Sequence, residues 1–433
     1  MFTKTFKIFL LFICILVLLP SKDSLLLGQT GKKEPDKKTA KKQDWPKKKS
    51  YRYTWEKIIS FPGELIFLPV KLILNGTGET IAFIDRTKLI PKTKDFLKSD
   101  DGRRALLPTY SSRSGAGIKI YQKGLLNPES KLTAAAAFGI RNRQDYQLEF
   151  KRIKMLRGLT AFLIRYQFLS DEAFYGTGPD SKFDNESNYA YKRASAEINY
   201  GKQFTSKFLL DVLMEFSLND ILKGKNTRLP FTTELYTDEE LPGLDEQVRL
   251  SSLQLTMQYD SKNRMGNPSA GYEALLMGGV FQDLKNDRYK FWKASADFTK
   301  YIHLFYDRIL VLRVAGEMVA PFSDGLIPFY CLSELGRRET IRGFQRGRYQ
   351  DNDMVLGAVE YRYPLLQKKE SGIDALLFVD GGQVSPNIFK DFAKESFKVG
   401  VGGGIRVYGA EGLTAKVELG KSRDGWRFYF VLN

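Results

Sequence analysis

Residues 397–407 read Phe-Lys-Val-Gly-Val-Gly-Gly-Gly-Ile-Arg-Val. Side chains along an extended strand point alternately to its two faces. Phe397, Val399, Val401, Ile405 and Val407 therefore share one face with Gly403. Lys398 and Arg406 share the other with Gly400, Gly402 and Gly404. One face is oily and the other carries full charges. The run opens no helix, so its glycines are not those of a phosphate-binding loop.

The same period recurs outward from this stretch. Leu413, Ala415, Val417 and Leu419 alternate with Thr414, Lys416, Glu418 and Gly420. Tyr146, Leu148 and Phe150 alternate with Gln147, Glu149 and Lys151, and Ala194, Ala196, Ile198 and Tyr200 with Arg193, Ser195, Glu197 and Asn199. Such runs extend from about residue 105 to the end, most of them 9–14 residues long, enough to cross a bilayer as tilted strands. Sixteen are expected: 105–111, 115–124, 129–141, 144–155, 157–168, 188–201, 204–217, 247–260, 270–282, 287–302, 305–319, 352–365, 373–384, 396–407, 411–420 and 425–432. An even count suits a closed antiparallel barrel. The first is the weakest, because Pro108 lies within it. The long connections 169–187, 218–246, 320–351 and 385–395 all fall on one side by strand parity, and mostly tight turns fall on the other. A soluble sandwich also alternates. Charged strand faces and aromatic strand ends (Tyr361, Tyr363, Trp426, Phe428) favour a membrane barrel.

Composition narrows function. Among 433 residues there is one histidine, His303, and there are two cysteines, Cys14 and Cys331. Zinc sites and most proton shuttles need more of these residues, so no metal, no cofactor and no enzymatic chemistry are expected. His303 falls in a turn away from the long loops. The acidic pairs Asp100-Asp101 and Glu239-Glu240 lie in loops with no histidine partner and read as solvated.

The first 104 residues differ from the rest. Lys4 and Lys7 precede the apolar run Ile8 to Leu19, and small or polar residues follow to Gly28. This is the pattern of a secretory signal peptide over 1–28. A retained anchor is the alternative, opposed by the short run and by Pro20. Cleavage leaves Cys331 alone, with no intramolecular disulfide to form. Residues 29–50 hold nine lysines against Glu34, Asp36 and Asp44, six of the net +17 charge. This segment reads as a disordered tether. An exported protein meets little nucleic acid, so anionic lipid or cell-wall polymer is the better partner for it. Residues 51–104, with Trp55, Ile58, Ile59 and Leu65-Ile66-Phe67-Leu68 broken by Pro62-Gly63 and Pro69, suggest short amphipathic helices. They form a periplasmic or plug segment too short to span a membrane. The barrel occupies 105–433.

Motifs in a fixed order carry a resemblance. Arg338-Glu339-Thr340-Ile341-Arg342-Gly343-Phe344 is followed by Arg346-Gly347, then by Glu360-Tyr361-Arg362-Tyr363-Pro364-Leu365 and by Phe378-Val379-Asp380-Gly381-Gly382. The chain ends through Gly412-Leu413 and Gly425-Trp426-Arg427-Phe428-Tyr429-Phe430. This order resembles the BamA/TamA superfamily of outer-membrane barrels, the bacterial surface antigen family. The resemblance is specific over 320–433 and looser over 105–319, where Phe174-Tyr175-Gly176-Thr177-Gly178 and the stretch Asp260 to Gly271 are similar to members without the usual soluble domains.

The resemblance implies a sixteen-stranded transmembrane β-barrel in the bacterial outer membrane with its N-terminus in the periplasm. It implies that the sixth outer loop folds into the lumen, with Ile341, Arg342, Gly343 and Phe344 as its tip motif. Arg342 would then meet Glu360 and Asp380, which fits the alternation that turns Glu360 inward. A planar guanidinium fork suits paired carboxylates in a confined lumen. Gly425, Phe428 and Phe430 match the C-terminal assembly signal, although the chain ends in Asn433 rather than an aromatic. Members of the family that insert or export proteins carry POTRA domains, about 75 residues each; 51–104 lacks their strand-helix-helix-strand-strand pattern, so docking through such domains does not transfer. Two readings follow. One is a barrel that assembles or translocates outer-membrane proteins through a laterally opening seam between its first and last strands. Its partners would be outer-membrane lipids, unfolded outer-membrane or exported proteins, and the host's assembly machinery. The other is a channel or surface-exposed structural barrel.

Overall fold

The computed structural model describes Ser99 and residues 101–111, 113–367, 371–409 and 412–432. The expected signal peptide, the expected tether and nearly all of 51–104 lie outside the described residues.

Among the described residues there are eighteen strands. β1 (Arg104–Ser111), β2 (Gly115–Lys123), β3 (Lys131–Gly139), β4 (Arg143–Met155), β5 (Gly158–Phe174) and β6 (Ser187–Gln203) run in sequence, followed by β7 (Phe208–Lys223), β8 (Val248–Asp260), β9 (Gly271–Asp283), β10 (Lys290–His303) and β11 (Ile309–Pro321). After a two-stranded hairpin, β12 (Ser333–Leu335) and β13 (Tyr349–Asp351), come β14 (Asp353–Gln367), β15 (Gly372–Ser385), β16 (Lys398–Gly409), β17 (Gly412–Ser422) and β18 (Gly425–Leu432). The other sixteen form one antiparallel sheet in which each strand pairs with its neighbours in sequence. All sixteen strands expected from the alternation are present. β5 runs six residues beyond its expected end, to Phe174, and β7 six beyond, to Lys223, because both continue past the oily belt as polar ribbons.

The sheet curls on itself. Asn267, in the turn between β8 and β9, donates to Asp374 on β15 over 2.9 Å and accepts from Arg406 on β16 over 2.7 Å. Strands four to six places apart in a flat sheet could not meet a common turn.

Its faces are those of a membrane barrel, inverted relative to a soluble protein. Ile118, Ile120, Leu148, Ile164, Ile198, Met214, Leu253, Val399, Phe428 and Phe430 are exposed on the outer face. Thr133, Asp145, Ser195, Ser217, Ser252, Glu360, Asp380 and Glu418 are buried on the inner one. Tyr363, at the expected aromatic rim, is buried there against Ala375, Tyr361, Leu365 and Leu377, with the Arg308 guanidinium 5.0 Å from its ring centre. His303 ends β10, beside Asp307 and on the short-turn side.

Among the described residues β1 has ladder partners only in β2, and β18 only in β17. These are also the shortest strands of the wall, eight residues each. Pro108 sits within β1 opposite Ile118, a position an edge strand tolerates.

An outward charge should be costly on this face. Ile164→Arg, at a side chain now 62% exposed, is expected to destabilise the barrel folded in vesicles by about 2–4 kcal/mol near the membrane centre, read from urea titrations of the refolded barrel.

Candidate functional site

The connection from β11 to β14 does not extend away from the barrel. Its hairpin β12–β13 and the tip between them lie in the lumen as a small apolar core against the wall: Leu335, Ile341, Phe344 and Tyr349 pack with Ala315, Leu356 and Val384. Ile341 is fully buried and Phe344 almost so. These two side chains press the tip inward, and between them stands Arg342.

Arg342 is 7% exposed and makes every bond its fork allows toward one side. Nε and one terminal nitrogen donate to the two oxygens of Asp380 over 2.7 and 2.8 Å. The other terminal nitrogen donates to Glu360 over 2.9 Å and to Glu418 over 2.5 Å. Its backbone N–H also reaches Asp380, over 3.0 Å. The guanidinium carbon lies 3.5 Å from the ring centre of Phe378, two residues before Asp380 on the same inner face of β15. Burial works against the cation, and the bonds and charges of Asp380, Glu360 and Glu418 outweigh it, raising the pKa above the ordinary guanidinium value.

The charges balance locally. Arg362 bonds Glu360 over 2.8 Å, and Lys416 lies 2.9 Å from Glu418 and 3.6 Å from Glu360. Three cations thus face three carboxylates, so each buried charge has a partner of opposite sign that offsets part of its desolvation cost.

The backbone is accommodated as closely as the side chain. Gly343 has φ +100°, a region costly to other residues, and its N–H donates to the Tyr429 hydroxyl over 2.9 Å. Its carbonyl accepts from Ser422 over 2.8 Å. On the wall, a Cβ at Gly400 would stand 1.9 Å from the carbonyl oxygen of Arg342. The glycine of the opening stretch is therefore a seat for the loop.

A second arginine holds the far end of the tip. Arg348 is 1% exposed. It bonds Asp424, in the β17–β18 turn, over 2.6 Å and the carbonyl of Ser181 over 3.0 Å. Tyr349 and Tyr175 lie 4.4 and 4.9 Å from its guanidinium carbon. The stretch Phe174 to Gly178 meets the same loop, with the Gly178 N–H donating to the Gln350 carbonyl over 2.8 Å.

The structure thus brings Ile341, Arg342, Gly343, Phe344, Glu360 and Asp380 together in one lumenal site. Gly425, Phe428 and Phe430 lie apart from it on β18, the two phenylalanines facing outward. Sequence reasoning missed Glu418, Phe378, Gly400, Tyr429, Arg348 and Asp424. Alternation already turns Glu418 inward on β17, but only the ladder places it level with the clamp. No cluster of metal-ligating side chains occurs among the described residues.

A family model described as the Omp85 superfamily domain matches residues 130–416, more than half the chain. The chain belongs to the Omp85 superfamily. Solved structures of similar fold include BamA from Haemophilus ducreyi lacking POTRA domains 1–3, with a TM-score of 0.55 at 16% identity, covering 75% of this chain and 69% of that one. CdiB from Escherichia coli matches with a TM-score of 0.48 at 10% identity, covering 75% and 61% of the respective chains. CdiB from Acinetobacter baumannii gives 0.45 at 13%, covering 75% and 57%. This chain therefore spans about three fifths of either CdiB. No curated protein sequence matches it. As in other Omp85 barrels of the outer membrane, the wall is a sixteen-stranded antiparallel barrel.

Two substitutions separate the charge of the clamp from its fit. Arg342→Ala leaves three buried carboxylates facing only Arg362 and Lys416, and is expected to cost about 3–5 kcal/mol, seen as loss of the heat-resistant compact band on unheated gels. Gly400→Val leaves every charge in place but drives the loop off the wall. Its expected signature is new protease cleavage between Gly336 and Gly347 in an otherwise folded barrel.

Proposed function

We propose that this Omp85 barrel assembles or translocates outer-membrane proteins through a seam between β1 and β18, without bond chemistry, and with its N-terminus in the periplasm. The observation that carries this reading is the absence, among the described residues, of any ladder joining β1 to β18. Backbone N–H and C=O groups at a strand edge find no water in a bilayer, and each unmet group costs several kcal/mol. An incoming strand satisfies them, so an edge of this kind is a template for strand addition. Unfolded outer-membrane or exported chains are the substrates such an edge would take.

The distribution of the loop anchors supports the same reading. Arg342 binds β14, β15 and β17; Gly343 binds β18; Arg348 binds the β17–β18 turn. The bonds of the tip motif itself lie on the C-terminal strands, while Arg313 on β11 holds the Glu339 carbonyl over 2.6 Å, and Arg348 and Gln350 also meet Ser181 and Gly178 in the β5–β6 connection. The bonds of Arg342 and Gly343 to β14, β15, β17 and β18 survive a parting of the wall between β18 and β1. The tip motif Ile341 to Phe344 then acts as the pin that keeps β14–β18 a rigid jamb. Gly425, Phe428 and Phe430 serve as the signal read by the host's own assembly machinery during biogenesis.

The alternative is a channel or a surface-exposed structural barrel. The lumen speaks against conduction: the hairpin packs inside it, and the β8–β9 turn crosses it to Asp374 and Arg406.

The test is a disulfide lock in a Cys331→Ser background, with cysteines paired between Ala105–Thr109 and Phe428–Val431. Oxidation is expected to abolish surface-protein assembly in cells, and reductant to restore it. Cells that lock fully yet assemble their outer-membrane proteins normally would sink the proposal and leave the structural barrel.

A further inference from the structure

A cavity of about 390 Å³ lies between the lumenal tip and the inner face of β18, and nothing in the clamp uses it. Six arginines line it: Arg113, Arg143, Arg337, Arg338, Arg346 and Arg427. Four carboxylates share the lining, those of Asp171, Glu172, Glu334 and Glu339, so the cavity carries two more positive charges than negative ones. The carboxylates are already taken. Asp171 and Glu172 meet Arg143, Glu172 also meets Arg113, Glu334 meets Arg337 and Arg346, and Glu339 meets Arg338.

Arg427 is different. Its one protein acceptor among the described residues is the Gln345 side-chain oxygen at 3.0 Å. Among the described residues no carboxylate stands within ion-pair distance of it, and its Nε–H is buried without an acceptor. A guanidinium in that condition is a vacant donor for an anion.

The lining also includes Phe428 and Phe430, which are 67% and 53% exposed on the outer face of β18, alternating with Arg427 and Tyr429 on the inner one. One space therefore touches both the charged lumen and the lipid-facing side of the wall, around the free edge of the last strand. A solute anion uses only the first of these. An amphiphile uses both.

We propose that this cavity binds the phosphate headgroup of an anionic membrane lipid, with Arg427 and Arg346 holding the phosphate and the acyl chains lying over Phe428 and Phe430. The lipid caps the edge of β18 in the resting barrel. The site stands whether or not protein substrates use the seam.

The test uses the purified full-length chain in neutral detergent, with dioctanoyl phosphatidic acid as the probe and binding followed by competition against a fluorescent analogue. Phosphatidic acid is expected to bind, and Arg346→Gln and Arg427→Gln each to weaken it about tenfold. Lys285→Gln, at an exposed loop position on the same side of the barrel, should leave binding unchanged. Arg346 lies on the loop, outside the wall, so its variant reports on the site even if Arg427→Gln folds poorly. Equal binding by Arg346→Gln and the wild type overturns the proposal. So does competition by inorganic phosphate at the same concentration as the lipid, which would make this a free-anion site. Displacement by an acidic decapeptide at that concentration overturns it too, in favour of a protein segment.

Discussion

One buried guanidinium organises the interior. Arg342 is read at once by β14, β15 and β17, while the N–H and carbonyl of the next residue are read by Tyr429 on β18 and by Ser422 at the end of β17. Buried ion clusters need not stabilise a protein relative to well-packed hydrocarbon. Their strength lies in what they refuse. A tip displaced by one residue would leave three carboxylates without their shared partner, so the cluster admits a single seating of the loop and, with it, a single relative height of four strands.

That seating has a counterpart in the wall. A membrane barrel has no oily centre to hold it together; its outer side chains are satisfied by lipid wherever the strands go. Position must therefore be set by backbone ladders and by polar contacts across the lumen. In this protein those contacts are unevenly shared. The tip is bound through its backbone and two deeply buried arginines to β14–β18 and the turn between the last two strands. Toward β1–β6 the contacts run to the end of β5 and the β5–β6 connection: Arg346 with Glu172 at 3.9 Å, Gln345 with Glu186 at 3.1 Å, Arg348 with Ser181 at 3.0 Å and Gly178 with Gln350 at 2.8 Å. The buried charge cluster therefore lies on the C-terminal side of the β1/β18 boundary, and the N-terminal side meets the tip through loop contacts.

Much of this was legible in the chain. Period-two alternation carries the strand count, because the outward residues must be apolar and the inward ones need not be. Loop lengths carry the sidedness. The motif order carries Arg342 with Glu360 and Asp380. What escaped depends on register. Glu418 is an unremarkable inward residue until the ladder sets it across from Gly404 and Tyr429. Gly400 looks like one glycine among several until Arg342's carbonyl is seen resting where its Cβ would be. Arg348 lies two residues beyond Arg346, in a loop with no periodicity to say which of them turns inward. β5 and β7 outrun their expected ends because alternation weakens where a strand leaves the lipid, although its hydrogen bonds continue.

The turn between β8 and β9 has a consequence for how the chain is put together. Asn267 and Gly266 bridge to Asp374 and Arg406, partners 107 to 140 residues further along. A Cβ at Gly266 would lie 1.8 Å from the Gly409 carbonyl, so the turn is seated against finished strand backbone. The stopper at this end of the lumen can therefore set only after β15 and β16 have arrived. Arg342 likewise finds all three of its acids downstream of itself. Both internal seals close late, and until the C-terminal third is in place the growing barrel remains hollow, so completion of the wall and closure of the interior are a single event.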